Sequence, residues 1–118
     1  MFIKGIVVKG KQRGKSLGFP TANISVQNSA EEGIYISKTK VKDIWLNSLT
    51  FVGVAKSFNE SSFQAESYIF SFDQDLYGQE IEIELIKKIR DNKKFDTIEE
   101  LVEQMKKDRV QAEKYFSK

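Results

Sequence analysis

The stretch Glu80–Leu85 reads EIEIEL, and it decides the kind of fold that the chain predicts. Acidic residues alternate there with Ile81, Ile83 and Leu85, so every second side chain is apolar. Because successive side chains of a β-strand point to opposite faces, this alternation indicates a strand with one face in water. The apolar face of such a strand has to be covered by other elements of the same domain.

Up to about residue 90, further short runs rich in β-branched and aromatic residues are separated by turn signals. The last two runs are expected to pair, because the link Asp73–Gly78 has the acidic residues and the glycine of a hairpin loop. Trp45 and most phenylalanines are expected in the core. The pattern predicts a small β-barrel or β-sandwich over residues 1–90. The predicted strands are Ile3–Val8, Ile34–Thr39, Leu49–Ala55, Phe63–Phe72 and Glu80–Ile89.

From Asp96 onward the apolar period changes to about 3.6 residues, which predicts one amphipathic helix over residues 97–116. Thr97 followed by Glu100 fits a capping box, and Asp96 with Glu99 is an alternative one residue earlier. The helix either covers an open end of the barrel or takes a direct part in ligand binding. Its apolar stripe contains Ile98, Leu101, Val102, Met105 and Ala112.

The composition predicts a single domain and excludes several kinds of chemistry. The chain has 118 residues, 40% of them apolar, and 19 basic against 17 acidic residues give a formal charge of +2. The charges are dispersed, which argues against nucleic acid as a partner. Without Cys or His, disulfides, thiolate or imidazole zinc sites and Ser-His nucleophiles are excluded, so a bound metal should be hard and oxygen-ligated. No run of apolar residues suggests a signal peptide or a membrane span, and we expect a cytoplasmic monomer.

The segment Gly10–Gly18 resembles a cradle for an anion. Its glycines allow sharp turns that direct several backbone N–H groups at one phosphate. It matches neither the Walker pattern nor the dinucleotide-binding fingerprint, and glycines at such spacing often only turn the chain. The glycines and cations concerned are Gly10, Lys11, Arg13, Gly14, Lys15 and Gly18.

The Pro20–Asn23 segment presents a hydroxyl and a carboxamide two positions apart. In an extended chain, Thr21 and Asn23 share one face, so their two neutral oxygens could hold one hard cation. The alternative is that each side chain caps its own turn.

The complete pattern closely resembles the flavokinase family, whose members phosphorylate riboflavin to FMN. The resemblance spans nearly the whole chain in order, and it implies a six-stranded antiparallel Greek-key β-barrel with a C-terminal α-helix. The matching segments are Gly5–Gly14, Leu17–Asn23, Glu32–Tyr35, Glu66, Phe72–Gly78, Arg90 and Phe95–Thr97, followed on the helix by Leu101, Gln104 and Asp108.

The resemblance also implies roles for individual residues. Thr21 and Asn23 correspond to ligands of Mg²⁺, and Glu66 corresponds to the carboxylate that receives the proton of the riboflavin 5′-hydroxyl as ATP gives up its γ-phosphoryl group. The implied nucleotide-binding residues are Gly10, Lys11, Arg13, Gly14, Lys15, Gly18, Pro20 and Thr21. The alternative for Glu66 is a solvated strand glutamate. Alternation places it on one face with Gln64 and Tyr68, without showing which face is inside.

On the riboflavin side, the resemblance implies an apolar slot between the barrel and the terminal helix. The implied flavin-binding residues are Arg90, Phe95, Gln104 and Asp108. The polar segment 90–95 has the length and composition of a flap that orders over a ligand. For Arg90, the alternative is a surface ion pair with Asp91 or Asp108.

The chain departs from the family pattern at several positions. Phe51, Lys56 and Ser57 stand where the family has Asn, Pro and Thr, and Tyr68 stands where it commonly has His. The Tyr68 change is tolerable, because tyrosine and histidine both present a polar tip on a flat ring. The other three changes give a second hypothesis, a flavin-binding or regulatory module that has lost turnover. In most bacteria the kinase is one half of a bifunctional enzyme whose other half, an FMN adenylyltransferase, is missing here. The chain is either a stand-alone kinase or a domain of a longer protein.

Overall fold

The computed structural model describes residues 1–8, 21–25, 31–57, 60–70, 72 and 76–117, with the backbone alone at residues 21, 54–57 and 60–63. Within these residues the chain forms six strands and one helix. They are β1 (Phe2–Ile6), β2 (Thr21–Ser25), β3 (Gly33–Val41), β4 (Ile44–Ser57), β5 (Glu60–Ile69), β6 (Glu80–Arg90) and α1 (Ile98–Phe116).

The strands form one antiparallel sheet in the order β1-β6-β3-β4-β5-β2. Strands β3, β4 and β5 follow one another as neighbours and β6 returns beside β3, which is the Greek-key arrangement. The two edges of the sheet meet where the Val8 N–H donates to the Asn23 carbonyl at 2.7 Å. These observations confirm the predicted six-stranded antiparallel barrel with a C-terminal helix.

The predicted pairing of the last two strands is wrong. Strand β6 pairs with β1 and β3, whereas β5 pairs with β4 and β2. Leu76 in the link between them is buried in the barrel core. The Gly78 N–H donates to the Val7 carbonyl, and the Val7 N–H donates to the Gln79 carbonyl. These bonds attach Gly78 and Gln79 to the residue that follows β1.

A tight hairpin joins β3 to β4 instead. Both of its central residues, Lys42 and Asp43, have positive φ angles, of 49° and 68°. Two left-handed residues in a two-residue loop match the twist of the flanking strands. The sequence signal for this turn is weak, because the pair Lys42–Asp43 is not one of the Asn-Gly or Asp-Gly pairs that are preferred where both central residues have positive φ angles.

Other local predictions also need correction. Strand β2 is absent from the strands predicted by local pattern, and the run predicted as Phe63–Phe72 forms a strand at Glu60–Ile69. Trp45 is 39% exposed and lies on the outside of the barrel, edge-on to Phe2 and beneath the Lys40 ammonium. It pairs with Lys40 in the β3–β4 ladder, on the face that points away from the core.

The sheet has an apolar cluster on each face. One cluster fills the barrel, and its buried members are Ile3, Val7, Ala22, Ile24, Val41, Val52, Ala65, Ile69, Leu76, Ile81, Ile83 and Leu85. The other lies between the sheet and α1, and its buried members are Ile34, Ile36, Leu49, Tyr68, Met105 and Ala112. We call these the barrel core and the helix-side core. Because side chains alternate along each strand, neighbouring residues of a strand covered by α1 lie in different cores, as Ala65 and Tyr68 of β5 show.

A connected string of five hydroxyl groups lies on the barrel-core face of β3, β4 and β5. Each of the five residues is fully buried. The oxygens follow one another in the order Thr50, Ser37, Ser48, Thr39 and Ser67, at distances of 2.8, 2.7, 2.9 and 2.6 Å. These mutual hydrogen bonds satisfy polar groups that would be costly to bury alone.

Helix α1 begins as the capping box predicts. Thr97 is the N-cap, and its side-chain oxygen accepts a hydrogen bond from the Glu100 N–H at 3.1 Å. The Glu100 carboxylate reaches back to the Asp96 N–H at 3.4 Å. Met105 and Ala112 of the predicted stripe are buried, whereas Ile98 is 74% exposed in the first turn. The helix therefore packs on the sheet through its middle and its C-terminal half.

Replacing Thr97 by Ala should destabilise the chain by about 1 kcal/mol, because the Glu100 N–H loses its acceptor. Urea unfolding followed by circular dichroism measures this change. Thr97→Ser, which keeps the oxygen, should stay within about 0.3 kcal/mol of the native chain. Equal stability of all three proteins would show that the cap contributes nothing.

Candidate active site

Strand pairing brings two of the predicted site residues side by side. In the β2–β5 ladder Asn23 lies directly opposite Glu66, and in the β4–β5 ladder Phe51 lies opposite Glu66 on the other side. Residues opposite each other in an antiparallel ladder share a face, with Cβ atoms about 4.5–5.5 Å apart. Two positions along the same ladder, and so on the same face, Thr21 lies opposite Tyr68. The register thus joins the implied metal-binding and catalytic positions, although 42 residues separate Asn23 from Glu66 in sequence.

Glu66 is a buried carboxylate whose two oxygens differ. The residue is only 5% exposed, so the interpretation as a solvated strand glutamate is wrong. Its Oε1 accepts a hydrogen bond from the Tyr68 hydroxyl at 2.7 Å. Its Oε2 is buried and has no hydrogen-bond partner within the described part of the chain. A buried oxygen without a partner is costly, and where one persists it usually has a role outside the protein's own structure.

Asn23 is also buried, at 4% exposure. Its backbone is held on both sides, because it pairs with Glu66 and its carbonyl accepts from the Val8 N–H. Its carboxamide therefore shares a face with the Glu66 carboxylate at the seam where the barrel closes. Neutral and anionic oxygens held together in this way suit a hard cation such as Mg²⁺.

A groove opens between the helix-side face of the sheet and α1, where the sequence analysis expects the flavin slot. Its walls are mostly apolar, with a few charged groups at the rim, which suits a flat apolar ligand with polar edges. The lining residues are Ile34, Leu49, Phe51, Tyr68, Arg90, Lys93, Phe95, Leu101, Met105 and Asp108.

Three of the four predicted flavin-binding residues form one hydrogen-bonded group at this groove. The Arg90 guanidinium donates to both oxygens of Asp108, with distances of 2.8–3.1 Å, and Gln104 donates to Asp108 Oδ1 at 3.1 Å. For Phe95, the fourth, the centre of the ring lies 6.0 Å from the guanidinium carbon of Arg90. Asp108 is 3% exposed, so this is a largely buried, bidentate ion pair between β6 and α1.

The position of Arg90 depends on irregularities in β6. The register between β3 and β6 shifts between Ile34 and Tyr35 and again between Ile36 and Ser37. Such bulges re-aim the side chains that follow them. Arg90 consequently lies opposite Ile34, a member of the helix-side core, and faces α1. The Arg90 guanidinium also donates from Nη1 to the Asp91 backbone carbonyl at 3.1 Å. Of the two ion-pair partners foreseen as alternatives for Arg90, the carboxylate of Asp108 is the one that pairs with it.

A second, exposed set of charges lies next to this group. The Lys88 ammonium is 2.7 Å from the Asp91 carboxylate and 2.6 Å from that of Glu31. The hydrogen bond from Lys88 lowers the pKa of the Asp91 carboxyl, and the two carboxylates raise the pKa of Lys88. The stabilisation by Asp91 is therefore present at neutral pH and is lost as the pH falls through the acidic range. Solvent screening keeps it small.

Several predicted residues fall outside this description. The side chain of Thr21 and those of Lys56 and Ser57 are not described, whereas Phe51 forms part of the groove wall. The remaining predicted nucleotide-binding residues lie outside the described residues; they are Gly10, Lys11, Arg13, Gly14, Lys15, Gly18 and Pro20.

No local sequence pattern distinguishes the apolar wall of the groove from the rest of the core. Leu49, Phe51 and Met105 line it together with Tyr68. The one available signal was alternation, which places Tyr68 on the same face as Glu66. Leu49 and Met105 looked like any other apolar core residues.

The family model described as flavokinase, riboflavin kinase, matches residues 1–116. The chain belongs to the riboflavin kinase family. It is 41% identical to the bifunctional riboflavin kinase/FMN adenylyltransferase of Bacillus subtilis, over 98% of this chain and 39% of that protein. It is also 41% identical to the trifunctional protein RibF/MnmA of Mycoplasmoides gallisepticum, over 99% of this chain and 18% of that protein. The chain thus spans less than half the length of these relatives.

A solved structure supports the fold. The crystal structure of riboflavin kinase from Trypanosoma brucei superposes with a TM-score of 0.67 at 23% identity, and the match covers 99% of this chain and 80% of that one. Among the described residues, no helix has the length and apolar character needed to span a membrane.

Replacing Asp108 by Asn should destabilise the chain by about 2–4 kcal/mol, because the largely buried Arg90 guanidinium loses its charge partner. Unfolding in urea gives the free-energy difference. Glu113→Gln is the matched control, because it removes an exposed ion pair with Arg109 and should cost less than about 0.5 kcal/mol. Similar losses for both variants would contradict a special contribution from Asp108.

Proposed function

We propose that this chain is a riboflavin kinase that transfers the γ-phosphoryl group of ATP to the 5′-hydroxyl of riboflavin, giving FMN and ADP. The observation that carries the proposal is the buried Oε2 of Glu66, which has no hydrogen-bond partner among the residues that the structure describes and lies beside Asn23, at a seam next to an apolar groove. Membership of the riboflavin kinase family supports the same reaction.

In the proposed reaction, Glu66 acts as the catalytic base. Its Oε2 accepts the hydrogen bond of the ribityl 5′-hydroxyl and then its proton, while the hydroxyl oxygen forms a bond to the γ-phosphorus. The bond from that phosphorus to the β-phosphate bridging oxygen breaks, and ADP leaves. In phosphoryl transfer the base mainly orients the nucleophile, which requires a fixed carboxylate. The burial of Glu66 on β5, between β2 and β4, provides that fixity.

We propose that Mg²⁺ is held by Thr21 and Asn23 together with oxygens of ATP, and the buried carboxamide of Asn23 fits this role. When bound, the ion neutralises charge on the phosphates. The segment from Gly10 to Lys15, with Gly18 and Pro20, is proposed to enclose the same phosphates.

The groove under α1 is proposed to bind the flavin ring system. Phe51, Leu49 and Met105 supply apolar walls for the tricycle. Arg90, Phe95, Gln104 and Asp108 lie at one side of the groove, where polar groups could meet the polar edge of the ring. A module that binds flavin without turnover is less favoured, because such a module would not need the buried Oε2 of Glu66.

We further propose that the chain works as a cytoplasmic monomer on small molecules. In a longer parent protein it would be the kinase part beside an FMN adenylyltransferase domain, as in the relatives of that name. No adenylyltransferase activity is proposed for these 118 residues.

Replacing Glu66 by Gln should lower kcat about 100-fold or more, because the amide cannot accept the proton. The assay separates FMN from riboflavin by chromatography after incubation with ATP and Mg²⁺. Riboflavin binding, followed by fluorescence quenching, should persist. Glu103→Gln, on the exposed side of α1, is the control and should match the native chain. If the native protein quenches riboflavin fluorescence but makes no FMN, the kinase proposal is refuted, and a module that binds flavin without turnover becomes the better explanation.

Replacing Asn23 by Ala should raise the Mg²⁺ concentration for half-maximal activity about 10-fold or more, because one ligand of the ion is lost. Initial rates measured across a Mg²⁺ titration test this expectation. The KM for riboflavin should change by less than about threefold. An equal fractional loss of rate at every Mg²⁺ concentration would argue against a metal-binding role for Asn23.

A further inference from the structure

The Tyr68 hydroxyl is hydrogen-bonded to the buried carboxylate of Glu66. The two residues lie two positions apart on β5, so both face α1. Both are buried, at 5% and 6% exposure, and the Tyr68 hydroxyl donates to Glu66 Oε1 at 2.7 Å. A phenol gives one proton to a hydrogen bond, and an ionised carboxylate only accepts. The direction of the hydrogen bond between them is therefore fixed.

The ring of Tyr68 is held by its surroundings. It belongs to the helix-side core with Leu49 of β4 and Met105 of α1, and it forms part of the groove wall. Side chains packed in this way keep one rotamer. Tyr68 therefore presents its hydroxyl from a fixed place, and a carboxylate attached to it has one orientation.

The two carboxylate oxygens of Glu66 therefore have different surroundings. Oε1 accepts a hydrogen bond from the Tyr68 hydroxyl, whereas Oε2 is buried and has no hydrogen-bond partner among the described residues. Without the Tyr68 hydroxyl the carboxylate could rotate, and either oxygen could turn toward Asn23 or away from it. Misplacement of a catalytic group by about 1 Å is enough to cost a large factor in rate.

We propose that Tyr68 is a positioning residue that holds the Glu66 carboxylate so that Oε2 faces the hydroxyl of the substrate. This inference rests on the proposed kinase function, which it deepens. Tyr68 does not take the proton itself, because its own hydroxyl is the donor in the contact. Its effect should therefore appear in kcat and should act only through Glu66.

The first test is the steady-state kinetics of Tyr68→Phe with riboflavin, ATP and Mg²⁺. Phenylalanine keeps the ring and the packing but removes the donor. We expect kcat to fall about 10-fold, the scale of one hydrogen bond to a charged group, and the KM for riboflavin to change by less than about twofold. Tyr68→His, whose imidazole N–H can donate, should recover kcat to within about threefold of the native value.

Tyr35→Phe is the matched control. It also removes a phenol that donates a hydrogen bond, in this case to the Glu31 carbonyl, at a site away from the groove. Its kcat should equal that of the native chain. Circular dichroism and riboflavin fluorescence quenching establish that each variant is folded and binds the flavin.

The second test combines the substitution with Glu66→Gln. If Tyr68 acts through Glu66, then Tyr68→Phe should change the residual rate of the Glu66→Gln protein by less than about twofold. The same 10-fold loss in both backgrounds would mean that Tyr68 acts independently, and it would overturn the inference.

The outcomes separate this inference from the function on which it rests. A native chain that makes FMN, with Tyr68→Phe as active as native, refutes the positioning role and leaves the kinase intact. A rise in KM without a loss of kcat also refutes it, because Tyr68 would then be a binding residue. A native chain that makes no FMN refutes the kinase proposal, and the inference with it.

Discussion

The pairing of β2 with β5 is the constraint on which the candidate site depends. Strand β2 is five residues long, and besides β5 its described backbone bonds to Val8, at the closing seam of the barrel. This register sets Asn23 against Glu66. Because side chains alternate along a strand, a slip of one residue would move Asn23 to the barrel core and bring an apolar neighbour, Ala22 or Ile24, to the site. The chemistry of the site is therefore specified by backbone hydrogen bonds as much as by side chains.

The same alternation explains why the protein has two cores and why the groove lies where it does. Ala65, Ser67 and Ile69 of β5 point into the barrel, so Glu66 and Tyr68 point toward α1. The helix covers that second face without filling it. Arg90 and Asp108 join β6 to α1 at one side, and the space left beside them is the groove. Fold and site thus follow from one geometric property of strands.

Local sequence patterns predicted the elements better than their arrangement. The alternation in Glu80–Leu85 and the cap at Thr97 are properties of neighbouring residues, and both appear in the structure as expected. The partner of β6 is a long-range property, and a loop composition typical of hairpins misled the prediction because Gly78 and Gln79 bond to Val7 instead. Trp45 was misplaced for a related reason, since hydrophobicity alone does not tell which face of a strand is outside.

For the site, the family resemblance identified Glu66 as a candidate catalytic residue, which the residues around it could not do. Nothing in the residues around Glu66 distinguishes it from a solvated glutamate until its burial is known. Conversely, the structure contributed the Tyr68 contact and the residues of the apolar groove wall, and it showed that Arg90 pairs with a buried Asp108. These features depend on residues from β4, β5, β6 and α1 that meet only in the folded protein.

The string of hydroxyl groups inside the barrel has a consequence for proton ordering. Five hydroxyls joined by four contacts carry one proton each, so one proton always remains for an acceptor outside the string. Whichever hydroxyl keeps that proton sets the direction of every other bond in the row. A change at Thr50 can thus reverse the orientation of the Ser67 hydroxyl, which sits next to Glu66 in the chain. The protons of all five hydroxyls are therefore ordered together, across three strands of the barrel.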